Sequence, residues 1–530
     1  MSTDHNNARD DAAIVGALFL LALVLRVLAA YVLGPHVDEA ESVLAARIVA
    51  RDGVPLLPSG VLFLQGATLS VLLQPLLSWS PDPLALFPLR LPSALAGALA
   101  IPVLHALALA LGAHRRTALF AGVALALDPA SIEWSAHVRP YALLQLVSVG
   151  AIFLWLRALD RSGWRWPVAL ATMLAFGVFT HIGVLLLVPP MVLLTWARGG
   201  PRARAPMVAL LSTAVPFAVF LAMNMAFSVT TKGAATGPSF IGDHLLDLRR
   251  LLSPQLDAWR WLFPRSATRE LLPPLLGAAA GVLVARRVLA PHPSRFGTLV
   301  TRALYTFPVA VVSCLTSEAQ PRYLLHVQPL TWLLVGQALE ELLRVSVPAA
   351  ERIAARALAL GALVVVSAHL FDGLYARFAR PEVDPSYQAA LTWVAARQQA
   401  GEPVLSAMTA VAWLAPVPLA DVRFLAGPEG GERALRYTRP GPDATRVDYW
   451  AGVPAVASTR ALCEILDAHP GAWMVADAER LGAEWAFAGS FAKVILGSSE
   501  LVYVGTDGGR VYRSHPRAAW TPSALAACEG

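Results

Sequence analysis

The sequence predicts an all-α polytopic membrane bundle of about eleven transmembrane helices, followed by a soluble C-terminal α/β domain. Three observations carry that expectation. Apolar runs of spanning length recur along residues 1–375, separated by short loops. Charged residues make up 15 % of the chain and hydrophobic ones 56 %, whereas a soluble domain carries about 25 % charge. Beyond residue 380 the apolar runs shorten to strand length and alternate with turn residues.

The first run, 12–33, is too long for the apolar core of a cleavable signal and shows no small-residue cleavage site, so it is expected to be the first span. It carries Arg26 near its middle, and a charge at that depth must face the bundle interior or find a partner. Further spans are expected near 89–111, 117–134, 140–157, 166–180, 182–197, 206–227, 271–288, 299–315, 323–343 and 354–371. The short runs 166–180 and 182–197 also fit one long tilted helix. The stretch 61–79 is apolar but interrupted by Gln65, Gly66, Gln74 and Pro75. Counted as a span it would invert every later loop, so it is expected to be an interfacial helix.

Orientation follows from the arginines of the short loops. With a cytoplasmic N-terminus, Arg115 and Arg116, Arg157, Arg161 and Arg165, Arg198, Arg202 and Arg204, Arg286, Arg287 and Arg295, and Arg344, Arg352 and Arg356 all fall inside. The segments 34–88 and 228–270 and the domain 380–530 then lie on the extracytoplasmic face. These loops account for the net charge of +6, and no nucleic-acid partner is implied. The Ala- and Arg-rich composition points to a bacterial inner membrane.

In the tail, strands are expected at Val404–Ala407, Val422–Leu425, Trp473–Ala476 and Val494–Leu496, with a hairpin from Leu501 to Arg513 turning at Asp507–Gly508. Helices are expected over 386–400 and 459–468, the second stopped by Pro470–Gly471. Neither a Gly-rich phosphate loop nor a nucleophile elbow is evident. Three cysteines are too few for a disulfide framework or a zinc cluster. Cys314 lies in an apolar run and is expected to be packing. Cys463 and Cys528 share the outer domain, where oxidation is permitted; a bond and two free thiols both stand open.

Four polar clusters carry the candidate chemistry. His36-Val37-Asp38-Glu39-Ala40-Glu41 follows the first span. Its adjacent carboxylates suit general-base work, but Asp38 and Glu41 also match a helix-capping pattern, with Asp38 as cap and Glu41 reaching back. Locally the cap is the stronger reading, and the helix would run to Gly53. Glu133-Trp134-Ser135-Ala136-His137-Val138-Arg139-Pro140-Tyr141 lies between two spans and fits either an interfacial belt or a cationic, aromatic wall. Thr180-His181-Ile182-Gly183 is a turn, and Gln320-Pro321-Arg322-Tyr323-Leu324-Leu325-His326 opens a span. Under one topology all four fall at the outer membrane face.

Taken in order, these residues resemble the C-type (GT-C) glycosyltransferases, in the branch of the dolichyl-phosphate-mannose–protein mannosyltransferases and the aminoarabinose transferases. The likeness rests on Asp38-Glu39-Ala40-Glu41 with Gly53-Val54-Pro55-Leu56-Leu57-Pro58-Ser59-Gly60, on Leu89-Arg90-Leu91-Pro92-Ser93-Ala94-Leu95-Ala96-Gly97, and on Val138-Arg139-Pro140-Tyr141-Ala142-Leu143. Thr180-His181 and Arg322-Tyr323-Leu324-Leu325 recur at the expected places. The likeness covers roughly residues 12–370. In many relatives the stretch matching Val61–Gly66 holds a basic residue, where this chain has Gln65.

The resemblance implies a polyprenyl-phosphate sugar donor and a lipid, glycan or protein acceptor, with inverting transfer at the outer face. It assigns Asp38 as general base and Glu39 as the residue that positions the acceptor or supports the sugar hydroxyls. Arg139, Tyr141, His181, Arg322 and Tyr323 become the donor-binding residues. Two arginines suit a leaving phosphate through their forked donors. It implies no required cofactor; a divalent metal is compatible but not indicated. The alternatives are a transporter or lipid flippase, for which repeated halves would be expected and none are evident, and a catalytically inactive GT-C-like scaffold.

Overall fold

The computed structural model describes residues 2–79, 85–231, 296–315, 321–344, 349–379, 385–415, 417–428, 431–441, 445–484, 486–487 and 489–529. The expected span 271–288 and most of the segment 228–270 lie outside the described residues. Two compact units form: residues 1–33, 90–220 and 244–381, and residues 34–89, 221–243 and 382–530.

The first unit is helical and belongs to an integral membrane protein. Its helices are α1 (Ser2–Val32), followed past the second unit's α2 (Val37–Asp52) and α3 (Ala67–Leu77) by α4 (Leu86–Ala110), α5 (Arg115–Leu127), α6 (Pro129–Ser135), α7 (Tyr141–Asp160), α8 (Arg165–Thr180), α9 (Val188–Arg198), α10 (Arg204–Leu211) and α11 (Ala214–Thr231). Beyond these come α12 (Phe296–Leu315), α13 (Gln328–Leu343) and α14 (Ala349–Ala379). Five of the expected spans are helical stretches long and apolar enough to cross a membrane among the described residues: Ala12–Val32, Leu86–Ala110, Tyr141–Asp160, Pro201–Ala226 and Ala355–Ala379.

Others are shorter or interrupted, for local reasons. The expected helix 117–134 is two helices. Asp128 caps α6 by accepting from Ser131 N at 2.6 Å, and Pro129 opens it, because proline has no N–H to continue α5. The runs 166–180 and 182–197 are not one helix. His181 ends α8 in extended backbone and caps a 3₁₀ turn, Ile182–Leu187, that leads into α9. A second 3₁₀ turn, Pro321–Val327, precedes α13.

Arg26 is fully buried and finds its partners inside the unit. All five of its N–H groups donate. Nε reaches Ser135 Oγ at 3.3 Å, Nη1 the carbonyls of Ala22 and Ala126 at 3.3 Å each, and Nη2 the Leu125 carbonyl at 3.2 Å and Ser131 Oγ at 2.9 Å. The helix break supplies one acceptor directly. The Leu125 carbonyl would bond residue 129 in a continuous helix, and residue 129 is proline.

The second unit holds α2, α3 and the tail. Its sheet is built from β1 (Val404–Ser406), β2 (Val422–Leu425), β5 (Ala455–Val456), β6 (Trp473–Ala476), β7 (Ser499–Val504) and β8 (Arg510–Ser514). The spatial order is β5-β2-β1-β6-β8-β7. The first four strands pair in parallel and the last two run antiparallel. A separate pair joins β3 (Thr438–Pro440) to β4 (Arg446–Asp448). The hairpin turns at Asp507–Gly508, as expected. The segment Val494–Leu496 is not a strand but part of a helix, Gly489–Ser498. Its buried residues Phe491, Val494, Ile495 and Ser498 follow a helical repeat, which the β-branched pair Val494-Ile495 conceals.

In open parallel sheets ligands bind beyond the carboxyl ends of the strands. Here Arg433 occupies that end. It is buried, donates from Nε to the Leu425 carbonyl at 3.2 Å and from Nη2 to the Ala407 carbonyl, and lies 5.0 Å over the Phe424 ring. Burial, with Arg480 nearby, lowers this guanidinium to about 10, still charged at neutral pH.

Cys463 and Cys528 form a disulfide, with Cα atoms 5.9 Å apart, while Cys314 is a free, half-buried thiol. Changing both bonded cysteines to serine is expected to cost the tail roughly 2–4 kcal/mol, given the long loop they close. Limited proteolysis of the full chain along a urea series measures this. An unshifted midpoint would show that the bond adds nothing.

Candidate active site

The helical unit gathers five of the sequence-selected residues into one cluster. Pro140 starts α7 at Tyr141, and the short turn before it carries His137 and Arg139. The turn is fixed at Arg139, whose carbonyl accepts from Ser93 Oγ at 3.2 Å on α4. His181 Nδ1 accepts from Gly183 N at 3.1 Å, which sets the imidazole at the end of α8. The 3₁₀ turn Pro321–Val327 brings Arg322 and Tyr323. It is tied to α7 by Gln145, whose Nε2 donates to the Leu325 carbonyl at 3.1 Å.

The rings form a chain. Trp134 meets Tyr141 edge-on with centroids 4.9 Å apart, Tyr141 lies 5.6 Å from His181, and His181 lies 6.1 Å from Tyr323. Two cations sit above this chain. The Arg139 guanidinium is 5.8 Å from the Tyr141 ring, and that of Arg322 is 5.8 Å from Trp134 and 5.9 Å from Tyr323. A cation is attracted to an aromatic face at such a distance. Trp134 joins the two halves; the sequence leaves its segment open between an interfacial belt and an aromatic wall, and its ring contacts put it in the wall.

A second polar layer braces the cluster. Asp128 Oδ2 accepts from Gln328 Nε2 at 2.9 Å and from Trp332 Nε1 at 3.0 Å, so α13 is pinned to the break between α5 and α6. Ser131 Oγ, which accepts from Arg26, donates to Gln145 Oε1 at 2.9 Å. One connected network therefore runs from Arg26 to the backbone that presents Arg322 and Tyr323.

Asp38 and Glu39 belong to the second unit, at the start of α2. The expected cap is corrected here. His36, not Asp38, is the N-cap: its Nδ1 accepts from Asp38 N at 3.1 Å. Glu39, not Glu41, completes the capping box, its Oε2 accepting from His36 N at 2.8 Å. The reason is register. The chain enters α2 two residues earlier than the Asp38–Glu41 pattern requires, so position N3 falls on Glu39. Glu39 is buried, whereas the Asp38 side chain keeps 27 % exposure. The helix ends at Gly53 in the left-handed region, as expected. Two acidic residues in its first turn, Asp38 and Glu39, face the positive end of the helix dipole.

Among the described residues no group of three or more His, Cys, Asp or Glu side chains is placed to hold a metal ion.

The chain matches known proteins in two ways. Residues 85–225 fit the family model described as dolichyl-phosphate-mannose-protein mannosyltransferase. The whole fold is similar to ArnT from Cupriavidus metallidurans, solved bound to undecaprenyl phosphate, with a TM-score of 0.59 at 15 % identity over 96 % of this chain and 99 % of that one. It is also similar to the archaeal oligosaccharyltransferase AglB from Archaeoglobus fulgidus, solved with an inhibitory peptide and a dolichol-phosphate, with a TM-score of 0.54 at 12 % identity over 97 % of this chain and 75 % of that one. No curated protein matches the sequence. The chain thus has the fold of these two proteins, and its residues 85–225 match the mannosyltransferase family model.

Proposed function

We propose that this protein transfers a sugar from a polyprenyl-phosphate donor to a lipid, glycan or protein acceptor at the extracytoplasmic face, with inversion. The observation that carries the reading is the pair Arg139 and Arg322 on one aromatic wall at the ends of membrane helices. A lipid-linked phosphate lies at that depth and leaves with negative charge. Guanidinium groups stabilise such charge through paired donors, and more strongly where water is scarce. Tyr141, His181 and Tyr323 offer ring faces and polar edges for the donor sugar. The solved relatives' lipid phosphates support the same donor class.

In this reading Asp38 takes the acceptor proton as the new glycosidic bond forms, and the bond to the lipid phosphate breaks with its electron pair on phosphate oxygen. Glu39 keeps Asp38 in position through the capping box. The N-terminus is cytoplasmic and the tail extracytoplasmic.

The test uses purified protein in vesicles, a radiolabelled polyprenyl-phosphate sugar and a native membrane extract as acceptor source. Wild-type protein is expected to move label into the extract. Arg139→Lys keeps the charge but loses the fork, so donor KM is expected to rise. A panel of polyprenyl-phosphate sugars from which none is transferred would refute the assignment.

A further inference from the structure

We propose that the C-terminal domain is the clamp that positions the Asp38 helix. The proposal rests on the reading of Asp38 given above only for its consequence in transfer; the clamp itself is structural. The first loop and the tail meet at three places within the second unit. The short helix Thr409–Leu414 packs on α2. Pro35, three residues before Asp38, shares a cavity wall with Ser386, Trp393 and Tyr503. The tightest contact is at Ser59. Its N–H donates to the Trp450 carbonyl at 3.2 Å, and its Oγ donates to the Tyr449 carbonyl at 2.5 Å.

One carboxylate shapes the turn that makes this grip. Asp448 accepts from the N–H groups of Trp450 at 2.9 Å, Ala451 at 2.8 Å and Val453 at 2.7 Å, and from Thr409 Oγ1 at 2.7 Å. Buried and bonded to four donors, it sets both the turn that holds Ser59 and the start of the helix that packs on α2. Gly452 allows the close approach. Its φ is +73°, and a Cβ there would stand 2.9 Å from Ser59 Cα and 3.3 Å from the Pro58 carbonyl oxygen. Glu41, on α2 itself, acts electrostatically on Tyr449 of the same turn. The loop between α2 and α3 is therefore seated in the tail on backbone contacts, and α2 hangs from it.

Two variants of the full chain test the clamp by amide hydrogen exchange over residues 37–52. Gly452→Val strains the turn and pushes on Ser59. Ser59→Ala removes the hydrogen bond to the Tyr449 carbonyl, together with the longer one that Oγ accepts from Val61 N at 3.3 Å, without backbone strain, which keeps the test valid should Gly452→Val fail to fold. Ser59→Ala is expected to speed α2 exchange about two- to tenfold, the value of one hydrogen bond, and Gly452→Val more. The Cys463–Cys528 bond and the protease pattern of the tail report that the tail stays folded. Unchanged α2 exchange in both variants with a folded tail would overturn the proposal. Transfer is read separately: a fall in kcat at constant donor KM is expected alongside the loosening. Faster exchange with unchanged transfer would uphold the clamp and count against Asp38 as the base.

Discussion

Replacing Asp38 with Asn is expected to lower the transfer rate about 10²–10⁴-fold, the usual worth of a positioned proton acceptor, while the protein stays folded and inserted. The two capping bonds survive this substitution. The cap bond runs from Asp38 N to His36 Nδ1 and the return bond from His36 N to Glu39, so neither uses the Asp38 side chain. Glu39→Gln is the companion variant. Glutamine serves in a capping box as glutamate does, so that change removes a charge and keeps the helix start. Circular dichroism and detergent-stable yield report folding, and the vesicle assay reports transfer. Near-wild-type transfer by folded Asp38→Asn protein would exclude Asp38 as the base and move the role to Glu39 or Glu41.

Arg26→Leu is expected to destabilise the helical unit by about 3–5 kcal/mol, the range for removing one partner of a buried charged network. The substitution removes five hydrogen bonds to acceptors on α1, α5 and α6 and leaves Asp128 buried without the nearby cation. Arg26→Lys keeps the charge with fewer, unforked donors and should fall between. Gly97→Ala tests the same network from outside. A Cβ at Gly97 would stand 2.1 Å from Ser135 Oγ and 2.8 Å from Arg26 Nε, so even a methyl group must displace the guanidinium. Size-exclusion profiles and thermal midpoints in detergent measure both. Arg26→Leu protein as heat-stable as wild type would show that the network contributes no net stability.

Much of the bundle was legible because spans announce themselves by length and composition. Ala12–Val32, Leu86–Ala110 and Tyr141–Asp160 lie within a few residues of the expected runs. The need of Arg26 for a partner was legible too, from its depth alone. The identity of the partners was not, because three are backbone carbonyls, two of them at a helix break, and the other two are the hydroxyls of Ser131 and Ser135. An apolar run scored by hydropathy gives Asp128-Pro129 little weight, although a proline after a capping residue is a strong start signal. The same blindness hid the bracing of the site through Gln145 and Gln328, whose partners lie 180 and 200 residues away. The cluster residues Arg139, Tyr141, His181, Arg322 and Tyr323 each sit at the end of an apolar run, but it was the family resemblance that singled them out. For Trp134 the sequence could not choose between an interfacial belt and the wall, because interfacial tryptophans share its address. In the tail the error at Val494–Leu496 has the opposite cause: a short β-branched run dominated the local pattern, while burial at helical spacing decided the fold.

The seating of the first loop in the tail also sets an order of events during synthesis. Nearly three hundred residues separate Leu89 from Glu382, and both belong to the same compact unit. At about 5–20 residues per second, the α2–α3 segment emerges on the order of 15–60 s before the strands that complete its unit. During that interval α2 and α3 pack on one another without the tail, and the backbone acceptors for Ser59 do not yet exist. The segment is thus the earliest part of its unit to be made and the last to be secured, and a chain stopped before the tail would carry α2 without its seat.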